Sequence, residues 1–220
     1  MIRRLLPLLL VLALAGCGEE RAGSGTASLW VTRDRGAEVI LTATVPAGIS
    51  ALEALDRELD VDTRYGGRFV QAIEGLEGSL HEQRDWFWYV NGLWADRSAA
   101  EYELRRGDVE WWDYHSWGSV MQIPAVVGAF PEPFLHGFAG EVPPAVVVGR
   151  SPAAKRLAKL IGGRVASRAP AGANVLRIVP GRGLRVTRSG NRVEFTLGRA
   201  DAPRLARDPT LARYRFEGLR

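Results

Sequence analysis

Between residues 86 and 117 hydrophobic and polar positions alternate with period two, and both phases of the alternation are aromatic. Trp86, Trp88 and Val90 point one way, while Phe87, Tyr89 and Asn91 point the other. A strand with large apolar groups on both faces either lies between two layers or offers one face to a partner. Asn91-Gly92 is the strongest short hairpin signal in the chain. Arg105-Arg106-Gly107-Asp108 predicts a second turn, before a strand over 109–114.

Upstream, 29–32 and 39–45 read as two strands joined by a turn at Arg33-Asp34-Arg35-Gly36. Pro46-Ala47-Gly48 ends the second, and a helix over about 50–59 follows, with Ser50 as N-cap and Glu53 in capping-box position. Leu52, Leu55 and Leu59 make its apolar stripe. Phe69, Gln71 and Ile73 begin another strand after the Arg64-Tyr65-Gly66-Gly67 turn. One helix across a mixed, mostly antiparallel sheet is an α+β architecture, and this order of elements is β-grasp-like.

Downstream of 118 the pattern changes. Residues 123–140 hold three prolines and three phenylalanines, too apolar for a free linker and expected to pack along the first domain. Strands are predicted over 145–148, 164–166, 174–179, 184–187 and 192–197, with a basic helix over 153–161 after Ser151-Pro152. This half reads as a second small α+β module, followed by a weakly periodic tail after Arg199.

Charge divides the chain at the same place. Residues 18–117 carry ten arginines against nineteen acids, net −9, while 118–220 carry seventeen basic residues against six acids, net +11. All seven tryptophans precede residue 118. The resulting division is a domain at 29–117, a Pro/Phe-rich connector at 118–141 and a basic module at 142–220. The opposite charges suit docking of the halves on each other, and the basic half equally suits an anionic membrane surface.

The N-terminus adds a location. Arg3 and Arg4, then an apolar run over 5–14, then Leu14-Ala15-Gly16-Cys17 form a signal peptide over 1–16, too short to span a bilayer. The ending resembles a bacterial lipobox. It implies cleavage before Cys17, acylation (palmitate-type lipid) of that single cysteine, and a flexible tether over 17–28. The expected location is the extracytoplasmic face of the cell membrane.

Trp-Phe-Trp-Tyr-Val-Asn-Gly at 86–92, followed by Tyr102-x-Leu104-x-x-Gly107-Asp108 and Trp112-x-Tyr114, resembles the transcobalamin C-terminal-like domain, which recurs in bacterial secreted proteins as a domain of unknown function. The resemblance covers about 29–117. It implies a β-grasp domain of the kind that, in the vertebrate carriers, closes over one face of bound cobalamin. The aromatic surface suits a small planar or hydrophobic ligand, which the resemblance makes corrinoid-like. No cofactor is required, and none is identified beyond a cobalamin-like candidate.

The ligand-binding candidates are the aromatic and turn positions Trp88, Tyr89, Asn91, Trp94, Trp112, Tyr114 and Trp117. Trp94 and Trp117 fall where loop tips and sheet edges lie. No catalytic set stands out: His81, His115 and His136 are scattered without ligand spacing, so no enzyme and no metal centre is expected. Glu110 reads as facing solvent, and Arg106-Gly107-Asp108 as a turn and not an adhesion tripeptide. Basic residues without interleaved aromatics, outside the cytoplasm, argue against nucleic acid. The leading expectation is a tethered binding protein, accessory to a transporter. The alternative is a surface protein-interaction or envelope-scaffolding module with no small ligand.

Overall fold

The strands form three separate sheets. A computed structural model describes residues 25–220; the leader at 1–16 and the lipidation position Cys17 lie outside the described residues. The elements run β1 (Thr26–Arg33), β2 (Glu38–Pro46), α1 (Ala51–Asp56), β3 (Val61–Arg64), β4 (Phe69–Ile73), β5 (Leu76–Glu77), β6 (Arg84–Val90), β7 (Leu93–Trp94) and β8 (Val109–Ser116). Then come α2 (Glu132–Leu135), β9 (Ala145–Val148), α3 (Ala154–Leu160), β10 (Arg164–Ala166), β11 (Asn174–Val179), β12 (Leu184–Ser189), β13 (Arg192–Gly198) and α4 (Ala202–Arg207).

The first sheet has order β2-β1-β8-β6-β7. β8 is parallel to β1, with Trp30 opposite Trp111, and antiparallel to β6, with Trp88 opposite Trp112. That arrangement, with α1 packed on one face, is β-grasp-like. The expected N-cap holds: Ser50 accepts from the Glu53 N–H at 3.1 Å. β1 starts at Thr26, inside the expected tether, and Ser28 N–H donates to Asp108 O at 2.8 Å.

Both faces of this sheet are covered, which answers the question posed by the double aromatic alternation. One face carries Leu29, Val31, Trp88, Trp112 and Tyr114 and belongs to the core shared with α1 and β4. The other carries Trp30, Tyr89 and Trp111, packed by Val126 and Ala129 of the connector and by Phe216 of the tail. Phe216 meets Trp111 edge-on at 5.4 Å and Tyr89 at 5.6 Å. Gly128 is where backbone must approach the indole: a Cβ there would lie 2.6 Å from two Trp111 ring atoms and 2.8 Å from Arg215 N.

Glu110 reverses its sequence reading. It is completely buried on the α1 side, because the period that buries Trp112 and Tyr114 buries it as well. Its Oε1 accepts from Trp112 Nε1 at 2.6 Å, Oε2 has no partner among the described residues, and burial pushes its carboxyl up to about 8. At neutral pH the group is therefore mainly the neutral acid.

The second sheet has order β10-β9-β11-β13-β12, with every pair parallel except the β12–β13 hairpin. β9 to β10 is a crossover through α3, whose Leu157 and Ala158 are buried. The connector does not lie along the first domain alone. Pro124 O accepts from Trp94 N–H at 3.1 Å and Gly92 O from Val126 N–H at 2.8 Å, extending the first sheet, whereas Phe130 and Phe134 pack on Phe195 of the second. A continuous core runs through both modules, from Leu29 and Leu55 to Leu157 and Phe195.

Candidate ligand-binding groove

Three of the seven predicted residues meet in one place. Trp88 on β6 and Trp112 on β8 are register partners, and their rings stack with centroids 5.7 Å apart and planes 16° from parallel. Together with half-buried Trp94 they line a groove of about 380 Å³. β6 supplies Asp85, Trp86 and Phe87 to the same groove, the start of β4 supplies Arg68, Phe69 and Val70, and the segment after β7 supplies 95–99.

The groove exists because two sheets diverge. β7 pairs only with Tyr89 and Val90, and a bridge to Ser79 pairs Arg84, so the outer edge of β6 lacks a strand partner between Asp85 and Phe87. The three-stranded sheet β3-β4-β5 remains a separate sheet and meets this edge at the Ser79–Arg84 bridge that follows β5. Asp85 Oδ1 takes the Trp86 N–H at 2.8 Å, and burial is the main reason its carboxyl sits above the ordinary range. On the opposite wall Arg97 Nε donates to Asp96 Oδ1 at 2.8 Å, and Arg68 lies 3.8 Å from Glu101. Phe69 is 39 % exposed and meets Tyr65, 80 % exposed, edge-on. An aromatic floor, a few charged groups and exposed aromatics at the rim are the features of a small-molecule site.

The other predicted residues lie elsewhere. Tyr89 is buried on the opposite face of the sheet, against Trp111 and Phe216. Asn91, at φ 52, is fully buried: its Nδ2 donates to Asp108 Oδ1 and Gly137 O, and its Oδ1 accepts from Val109 N–H at 2.7 Å. Asp108 in turn accepts from Tyr102 O–H and Arg105 N–H, so the Asn-Gly and Gly-Asp turns are bolted together by side chains. Burial raises the Asp108 carboxyl while these donors pull it back. A carboxylate so enclosed is unavailable to an adhesion receptor. Tyr114 donates to Glu77 O at 3.0 Å and lies under the Arg84 guanidinium. Trp117 is half-buried beyond β8 and lines no part of the groove.

A second groove, of about 620 Å³, lies on the far side of Trp94 and is lined by Gln122, Pro124, Arg188 and Asn191. Arg188 donates to Trp94 O at 2.6 Å and lies over Phe138, and burial lowers its pKa. His115 is buried, stacked on Phe87, with Nδ1 2.7 Å from Asp113 Oδ1. Asp113 also accepts from Thr32 O–H and from the Arg35 and Gly36 N–H groups, fixing the β1–β2 turn. Among the described residues no group of three or more His, Cys, Asp or Glu could hold a metal, and no helix is long and apolar enough to cross a membrane.

Sequence reasoning missed Asp85, Arg68 and 95–99 as groove residues. Their positions depend on where the two sheets part, which periodicity does not encode. Phe69 falls on a predicted strand, and its place beside Tyr65 and two glycines is the one available signal.

Residues 48–116 match the model of a family described as a domain of unknown function (DUF4430). Among solved structures, haptocorrin in complex with Cbi is 18 % identical with a TM-score of 0.35, over 41 % of this chain and 24 % of haptocorrin. A proposed metal binding protein from Ruminococcus gnavus is 17 % identical with a TM-score of 0.35, over 41 % of this chain and 95 % of that one. The chain thus spans about a quarter of the length of haptocorrin. No curated protein matches.

Proposed function

We propose that the protein is a lipid-anchored extracytoplasmic binding protein whose aromatic groove takes a small planar ligand. The observation that carries this reading is the stacked Trp88–Trp112 pair in a groove of about 380 Å³ closed on one side by Trp94. Pockets of roughly 300–1,000 Å³ with apolar linings and few polar groups are the usual size for small ligands. Planar rings gain from offset or edge-on contact with indoles beyond the area they bury. Arg68, Arg97, Asp85 and Asp96 would select a ligand with polar groups at its periphery. The family resemblance of residues 29–117 makes corrinoids the first class to try, and a transporter is the partner a tethered binding protein would serve. Anchoring rests on Cys17, and Cys17→Ser is expected to release the protein from the membrane fraction; retention would mean that the basic module holds it there.

A second reading is a protein-interaction or scaffolding module. It is favoured by β2, an edge strand whose Val39 and Ile40 are 42 % and 39 % exposed.

The two are separated by titrating the full chain in detergent with cyanocobalamin and dicyanocobinamide while following tryptophan fluorescence. The groove reading expects a saturable change that Trp94→Ala abolishes and Trp117→Ala leaves in place. No response to either corrinoid removes that ligand class, and a response indifferent to Trp94 places binding outside the groove.

A further inference from the structure

On the opposite side of the first sheet from the aromatic groove lies a cavity of about 430 Å³ whose charged lining comes from three distant parts of the chain. Arg35 comes from the β1–β2 turn, Arg185 from β12 and Arg215 from the tail, while Ile123 and Phe216 give it apolar walls. Glu217 is the single carboxylate that lines it. No ion pair to Arg35, Arg185 or Arg215 occurs among the described residues, and the Arg215 Nε is buried without a hydrogen-bond partner. Three guanidiniums lining one cavity repel one another, with solvent screening at exposed Arg35 and Arg185, and the buried, unpartnered Arg215 Nε adds a desolvation cost. Both costs fall when an anion enters.

The cavity is built rather than incidental. Arg35 sits at φ 59, and its backbone is held there by the Arg35 and Gly36 N–H groups donating to buried Asp113 at 3.0 and 2.8 Å. Arg215 is fixed by its N–H donating to Ala212 O at 3.0 Å and by its packing against Gly128. Val127 N–H donates to Phe216 O at 3.2 Å, tying the tail to the connector.

We infer that this cavity is an anion site for a phosphate ester bearing an apolar group, bound by Arg35, Arg185 and Arg215 with its apolar part on Ile123 and Phe216. Guanidinium forks match phosphate oxygens in shape as well as charge, and three against one carboxylate suit a dianion. Such a group occurs on free small molecules and on phospholipid headgroups. Arg35 follows the far end of β1 from Thr26, roughly 25 Å at 3.3 Å per residue, so a tethered chain would present the cavity away from its point of entry. This favours a free phosphate ester.

Thermal shift and calorimetric titration of the full chain with phenyl phosphate, inorganic phosphate and phenol test the site. Phenyl phosphate is expected to bind tightest and phenol not at all, with binding weakening as salt rises. Arg185→Gln, at an exposed strand position, should weaken binding about tenfold without altering the fold, and Arg35→Gln and Arg215→Gln by at least as much. Flotation of the Cys17→Ser chain with phosphatidylglycerol vesicles, against phosphatidylcholine, separates the two sources. Capture lost in Arg185→Gln, without phenyl phosphate binding, assigns the site to a lipid headgroup and overturns the free-ligand source. Phenyl phosphate binding that is unchanged in all three arginine variants, or absent together with vesicle capture, overturns the site.

Discussion

The two faces of β8 are covered in different ways. The face bearing Trp112 and Tyr114 is covered by α1 and by β3 to β5, which belong to the same stretch of sequence. The face bearing Trp111 is covered by residues 126–129 and by Phe216, brought from the connector and from the end of the chain. On the first face the cover is incomplete, leaving the groove over Trp88, Trp94 and Trp112. On the second, Trp111 is fully enclosed. Trp88 and Trp112 are themselves core residues, 9 % and 3 % exposed, so the ring with most room to meet a ligand is half-buried Trp94. Trp30, Tyr89 and Trp111 serve cohesion, and the two kinds look alike in the sequence.

It also makes the second module part of the first domain's stability. An aromatic side chain buries roughly 150–250 Å², so each such ring contributes on the order of 5 kcal/mol at about 25 cal/mol per Å². Exposing Trp30, Tyr89 and Trp111 together would forfeit a sum comparable to the whole stability of a domain, about 5–15 kcal/mol. A chain ending at residue 117 is therefore expected to be unfolded or aggregated. A cooperative melt with native near-ultraviolet dichroism from residues 25–117 would contradict the asymmetry at its root.

Single substitutions probe the same comparison with smaller effects. Phe216→Ala empties the centre of the tail's contact and should cost about 3–5 kcal/mol in denaturant unfolding. Asn91→Ala strands the buried Asp108 carboxyl, the Gly137 carbonyl and the Val109 N–H, and it places alanine at φ 52; a loss of about 3 kcal/mol or more is expected. Gly128→Ala forces a methyl into Trp111 and should cost about 1–3 kcal/mol, with a shifted tryptophan emission that a loop alanine would not cause.

Glu110 sharpens the comparison through pH. Its carboxyl is raised from 4.5 to about 8 by burial, so the folded state binds a proton that the unfolded state releases. The associated stability is present below about pH 4.5 and is lost as pH rises through 8. Glu110→Gln keeps an acceptor for Trp112 Nε1 and removes the ionisation. Its melting temperature should fall less between pH 5 and 9 than that of the parent chain; parallel profiles would mean that Glu110 is ionised in the fold. The smallest stability effect is expected from Trp94→Ala, within about 1 kcal/mol for a half-buried ring at a groove wall, while ligand binding is lost.

Much of this architecture is legible in the sequence. Alternation and glycine-bounded turns place β9 to β13 within a residue or two, and Ser50 with Glu53 marks the start of α1. The Asn91-Gly92 turn forms as expected, with φ 52 and 77. What is not legible depends on long-range packing. Strand patterns do not say that β9, β11 and β13 pair in parallel. α4 escapes notice because its buried set, Ala202, Leu205 and Ala206, is short and follows no strong cap. Glu110 reads as solvent-facing in the sequence because a carboxylate in an alternating strand usually faces water, whereas a strand covered on both sides has no wet face. For the candidate site, Trp88, Trp94 and Trp112 were identifiable as aromatics near turns. The grouping of Arg35, Arg185 and Arg215 could only come from the fold.

Hydrogen exchange of the full chain with and without dicyanocobinamide tests the central distinction directly, because it reads both faces at once. The account predicts slow exchange throughout 109–115 in either state, and added protection on ligand binding confined to 67–70, 85–88 and 94–99. Protection gained instead at 123–130 and 214–216, with none in the groove segments, would contradict it and make the enclosed face the functional one.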